Sequence, residues 1–145
     1  MIKRLVAEVT SAFKALLEDG FRVIDEHAEE SFGNATVTLG RGHVRVRVST
    51  DRGDALVEVA SSSEPNNWYV LRPLLTVLTG RDVGEVSADL ALAAELIGKY
   101  ASALEQELEP ARFAAFKAKL ASHGDVGEAD RQQKLQEYAR RLKGN

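Results

Sequence analysis

Residues 32–60 read FGNATVTLGRGHVRVRVSTDRGDALVEVA, three runs of alternating apolar and polar side chains separated by two Arg-Gly pairs. A period of two is the signature of a strand with one buried face, and glycine in a short polar break marks a tight hairpin turn. With Arg41-Gly42 and Arg52-Gly53 at the turn tips, the registers follow. Leu39, Val37 and Ala35 face Val44, Val46 and Val48, while Val48 and Val46 face Val57 and Val59. All of these fall on one side of the sheet, and Thr36, Thr38, His43, Arg45, Arg47 and Glu58 fall on the other. A slip of one residue would turn each aliphatic row to solvent, so two turns that agree on one buried face define an antiparallel meander.

Working outward, Phe21–His27 mixes aromatic and β-branched residues and predicts one more strand ahead of these, making four. Its facing is open, since Phe21 and Val23 point one way and Ile24 the other. Upstream, Ile2, Leu5, Val6, Val9, Ala12, Phe13, Leu16 and Leu17 recur at helical spacing until Gly20. Downstream, the turn-rich Ser61–Asn67 gives way to Trp68, Leu71, Leu74, Leu75 and Leu78 ahead of Gly80. Pro73 suits a first helical turn, so the helix is expected to start near Arg72, with Trp68–Leu71 as a lead-in turn and Trp68 as a core anchor. Ser87 reads as the N-cap of a helix with Asp89 in its first turn and Leu90, Ala93, Ala94, Ile97, Ala101, Leu104 and Leu108 on its apolar face. Pro110 restarts the path through Phe113, Phe116 and Leu120, and Gly124–Glu128 is a loop. A last helix, roughly Asp130–Leu142, presents Leu135, Tyr138, Ala139 and Leu142 on one face. The expected architecture is a single α+β domain over 1–145, with a helix and the four-stranded meander in 1–63. Its helical half, 64–145, packs three to four helices on the aliphatic face of the sheet.

A chain of 145 residues with 44% hydrophobic and 28% charged residues has the make-up of a soluble domain with its own core. A net charge of −3 lacks the basic excess of a dedicated nucleic-acid binder. With no cysteine, thiolate chemistry and cysteine metal sites are impossible. The first twenty residues interrupt their apolar pattern with charges, unlike a signal peptide, and no apolar run is long enough to span a bilayer. The expectation is a cytoplasmic protein that uses neither membrane nor nucleic acid.

Catalytic patterns are missing: there is no Gly-x-Ser-x-Gly elbow, phosphate loop or dinucleotide fingerprint. His27, His43 and His123 are scattered, and the acidic loop with His123, Asp125, Glu128 and Asp130 lacks EF-hand spacing, so neither metal nor cofactor is expected. Two charged groups remain as partner-binding candidates. One is the arginine row Arg45 and Arg47 with Arg41 and Arg52 at the tips, although Glu58 lies across from Arg47. The other is the carboxylate cluster Asp25, Glu26, Glu29 and Glu30 at the end of the first strand, which doubles as the best place for acid–base chemistry. Small residues at Ala91, Ala93, Ala94, Ala101 and Ala103 would also allow close approach of helices, within the core or between two copies.

The order of a helix, Ser31-Phe32-Gly33-Asn34 entering a strand, Asp51-Arg52-Gly53 at a hairpin, Trp68 and a leucine-rich helix resembles small bacterial immunity-type proteins of toxin–antitoxin and polymorphic-toxin loci. The resemblance covers residues 1–80. It implies a stoichiometric, non-enzymatic protein that binds a cognate toxin domain and blocks it without a cofactor. The alternatives are a structural protein that forms a homodimer through its C-terminal helices, and a small hydrolase-type enzyme.

Overall fold

A computed structural model describes residues 2–29, 34–51, 54–84 and 89–122. The chain is α+β. An N-terminal helical pair, α1 (Ile2–Ala12) and α2 (Lys14–Glu18), leads into β1 (Arg22–Glu29), β2 (Asn34–Arg41), β3 (Val44–Asp51) and β4 (Asp54–Ser61). A short β5 (Tyr69–Val70) precedes α3 (Leu71–Thr79), α4 (Leu90–Lys99) and α5 (Ala101–Leu108). Residues 110–122 are helical again and are termed α6. The strands lie in sequential order in one antiparallel sheet.

The helical pair is kinked at Phe13, whose ψ of 19° departs from helical geometry while its side chain is fully buried. It ends where Gly20 takes φ 103° and the Phe21 N–H reaches back to the Leu16 carbonyl at 3.0 Å, the long bond of a Schellman motif. Leu5, Val9, Phe13 and Leu16 form the buried stripe and cover Ala35, Val37, Leu39, Val44, Val46, Val48, Val57 and Val59 together with α3–α6. One core therefore draws on both halves of the chain.

The second hairpin has the expected register, with Val48 opposite Val57, Val46 opposite Val59 and Arg47 opposite Glu58. The first is displaced by two residues: Leu39 faces Val46, Val37 faces Val48, and Ala35 faces Thr50. Arg41 pairs with Val44 inside the ladder, so Gly42-His43 is the loop, and it is Gly42 that adopts φ 54°. Glycine at the first loop position supplies the positive φ a two-residue hairpin requires. A slip of two preserves the faces, which is why the buried row is unchanged.

Among the described residues the sheet has five strands where four were expected. Tyr69 and Val70 extend beside Val59 and Glu58 instead of forming a lead-in turn. Trp68 is half-buried beneath the Arg47 guanidinium, 4.4 Å from its ring centroid, so it anchors on the polar face and not in the core. Asp89 is the N-cap of α4, its carboxylate accepting the Leu92 N–H at 3.0 Å, and not a first-turn residue. Ser87, the cap expected there, lies outside the described residues, as do the loop Gly124–Glu128 and the helix expected at Asp130–Leu142. Tyr100 divides α4 from α5, and Glu109 takes the extended conformation that a following proline imposes. Among the described residues, no helix is long and apolar enough to cross a membrane.

Candidate functional site

The arginine row is tied into its own scaffold. Arg41 donates to the Asp19 carboxylate at 2.7 Å and to the Asp19 carbonyl at 3.2 Å, with its guanidinium 4.9 Å from the centroid of Phe21. Arg45 folds back onto the hairpin and donates to the carbonyls of Gly42 and Val44 at 2.9 and 3.2 Å. Arg47 meets one Glu58 oxygen with both Nε and Nη2, at 3.2 and 2.8 Å, and stacks on Trp68. Each fork thus has donors committed inside the chain, and what they offer a partner is reduced accordingly. Arg52 lies outside the described residues.

The carboxylate cluster is arranged differently. β1 is an edge strand of the sheet, and its backbone carries a bulge: Val23 pairs with Leu39 but Asp25 pairs with Thr38, leaving Ile24 as the extra residue. This resolves the facing of the strand. Phe21 is buried in the core, whereas Val23 and Ile24 are 36% and 49% exposed. Ile24 turns to the polar face above Gly40, where a Cβ would meet its Cδ1 at 3.2 Å and Arg45 Nη1 at 3.0 Å. Asp25, Glu26 and His27 follow, all exposed. The Glu29 side chain and Glu30 lie outside the described residues. The edge strand thus shows two large apolar side chains directly beside two exposed carboxylates. The sequence signal for it was the Val23-Ile24 pair itself, since consecutive aliphatics break a period of two, with a glycine opposite to make room.

A polar cluster at the first hairpin comes from residues far apart in sequence. Glu105 of α5 accepts the His43 backbone N–H at 2.7 Å, and His43 Nδ1 lies 3.2 Å from Ser62 Oγ. The carboxylate holds the backbone of His43 and not its ring, so the trio is not a serine–histidine–carboxylate relay. Glu105 Oε2 is buried without a hydrogen-bond partner among the described residues.

Elsewhere, Arg72 clamps both oxygens of Asp82 at 3.1 and 2.9 Å, and the Gly84 N–H adds a bond at 2.9 Å. These bonds hold the Asp82 carboxyl at about 2, well below its ordinary 3.8. The Lys117 ammonium, bonded to Glu64 at 2.8 Å, is held above its usual range. Arg81 bonds the hydroxyl of the half-buried Tyr100 and lowers its pKa. All are surface ties between neighbouring elements. Among the described residues, no group of three histidine or carboxylate side chains could hold a metal ion. Ala93 and Ala101, two of the alanines proposed for a helix–helix contact between copies, are buried in the core, and Ala91 is exposed.

No protein-family model, curated protein or solved structure matches the chain.

Proposed function

We propose that this chain is a non-enzymatic protein-binding module of the immunity type, acting in the cytoplasm by occluding a cognate toxin domain with its β1 edge. The observation that carries the reading is the exposure of Val23 and Ile24 on an eight-residue edge strand, beside exposed Asp25 and Glu26. Edge strands with accessible aliphatic residues are the places where a second chain adds to a sheet, through main-chain bonds and side-chain anchors. The adjoining carboxylates fit a basic partner, such as a nuclease-like domain, whose approach they would steer. The arginine row is the poorer choice because its guanidinium groups already bind Asp19, Glu58 and main-chain carbonyls.

Affinity capture from the native host with tagged protein tests the reading, followed by the same capture with Ile24→Asp and with Asp25→Lys/Glu26→Lys. A stoichiometric partner retained by the wild type and lost by both variants, at unchanged melting temperature, is the expected result. Recovery of the bait alone, or a partner indifferent to both variants, would sink it. Light scattering across concentration separates this from pairing of β1 with a second copy, which would double the mass of the isolated protein.

A further inference from the structure

We propose that the partner adds an extended dibasic segment antiparallel to β1, its two adjacent cations meeting Asp25 and Glu26 on opposite faces of the sheet. This rests on the reading above of β1 as the docking edge and names the element that docks. Among the described residues β1 has a neighbour on one side only, β2. Alternate residues of such a strand turn their N–H and C=O groups away from the sheet, towards an incoming chain. The bulge limits where that chain can pair. Regular register with β2 runs from Asp25–Thr38 through His27–Thr36 to Glu29–Asn34, and it is broken between Val23 and Asp25. A regular strand laid on this edge therefore matches residues 25–29, a length of about 17 Å, and loses step at Ile24.

Register assigns the faces. Residues opposite one another share a face, so Asp25 lies on the side of Thr38 and Glu26 on the core side, with Val37. Both carboxylates are exposed at the edge. The aliphatic pair divides likewise, Val23 opposite Leu39 on the core side and Ile24 above Gly40 on the polar side. Each face of the edge thus shows one aliphatic side chain and then one carboxylate. Cations two apart in a strand would share a face and leave one carboxylate unmatched, whereas adjacent cations reach one each. Arg22, exposed ahead of the aliphatic pair, repels a cation at that end and so fixes the order. Every pair in this sheet is antiparallel, the direction more stable per residue. Laid that way, the segment reads cation, cation, aliphatic, aliphatic towards its C-terminus. A second copy is a poor occupant, because symmetrical registers centred on Asp25 or Glu26 set that carboxylate opposite itself.

The test titrates the full isotope-labelled chain with blocked peptides and follows backbone amide shifts by NMR. The probe is Thr-Val-Thr-Lys-Lys-Val-Ile, and its control is the isomer Thr-Val-Lys-Thr-Lys-Val-Ile, whose lysines share a face. The expected result is a saturable shift centred on residues 25–29. The adjacent lysines should bind about two- to fivefold tighter, as one cross-strand ion pair supplies. Glu26→Gln should erase that difference, since only the Glu26 contact separates the two peptides. N-methylation of one alternate set of peptide amides should abolish binding and of the other set leave it intact, the signature of an added strand. No saturable shift at millimolar peptide, equal affinity of the two peptides, or equal loss from both methylated sets overturns the proposal. Shifts of β1 amides with protein concentration alone overturn it too, because the edge would then hold a second copy. A captured partner that is lost on Ile24→Asp but not displaced by the peptide overturns the dibasic segment and leaves the protein-binding reading standing. A peptide that meets every expectation while capture recovers only the bait upholds the edge's dibasic preference and sinks the immunity reading.

Discussion

Replacing Gly42 with alanine probes the hairpin and the helix that supports it in one step. Gly42 sits at φ 54°, where an L side chain is strained by roughly 1–2 kcal/mol. A Cβ there would also lie 2.7 Å from Glu105 Cδ and 2.8 Å from its Oε2, inside contact distance. The carboxylate ends a flexible side chain, so it moves aside, and the cost is the bond it makes to the His43 N–H at 2.7 Å. A hydrogen bond with one charged partner contributes about 1.5–3 kcal/mol. Gly42→Ala should therefore destabilise by about 3 kcal/mol, combining strain near 1 with a bond near 2. Glu105→Ala removes the same bond and should cost about 2 kcal/mol. In the double variant the bond can be lost only once, so the total should stay near 3 kcal/mol, a coupling of about −2. Urea unfolding of the four proteins at neutral pH reads these values from the midpoints, provided the slopes agree. Additivity within about 0.5 kcal/mol would refute the reasoning, because it would mean that Gly42 and Glu105 act independently.

Asp82→Asn should lower the melting temperature at neutral pH, with the deficit shrinking as pH falls from 4 towards 2. A carboxyl held at about 2 against 3.8 contributes stability that is complete above the unfolded value and lost through the folded one. A deficit that stays constant across that window would show that the Arg72 and Gly84 bonds do not set the pKa. Arg47→Lys keeps the charge but gives up the fork on Glu58 and the stacking on Trp68, at a cost of about 1 kcal/mol. Because the chain has a single tryptophan, a fluorescence shift should accompany that loss, and unchanged emission would contradict the stacking. Ser61→Ala removes a buried hydroxyl that donates to the Leu108 carbonyl at 2.7 Å and strands that helix-end acceptor. The expected loss is about 1–3 kcal/mol by chemical denaturation, and a change below about 0.5 would mean that another donor takes its place.

The fold was legible where short-range physics decides it. Alternation from Ala35 to Val59 defines the buried face whatever the hairpin register, so an error of two residues at Gly42 left the core intact. Gly20, Gly80 and Pro110 mark real helix boundaries because backbone conformation at those residues is constrained locally. The strand at Tyr69–Val70 was not legible, since two residues carry no period and only β4 beside them makes them a strand. The kinks at Phe13 and Tyr100 are tertiary too: neither residue is a helix breaker, and Phe13 gains full burial in exchange for helical geometry.

The candidate surfaces divide by the same logic. A row of arginines on alternate strand positions looks available in sequence because its counter-charges are invisible there. Asp19 lies twenty-two residues from Arg41 and Glu58 eleven from Arg47, and the main-chain acceptors of Arg45 exist only once the hairpin turns. Glu105 is sixty-two residues from the backbone it holds, so no local pattern could have named it. The acidic cluster is weakened by no comparable contact among the described residues at Asp25 and Glu26. What distinguishes the two candidates is therefore the cost of release. A partner at Arg47 must break a fork to Glu58 and unstack Trp68, whereas one at β1 need only desolvate two aliphatic side chains already in water and meet two carboxylates already exposed. The first exchange is nearly neutral and the second is favourable, which is why the edge strand, and not the arginine row, is the surface to mutate first.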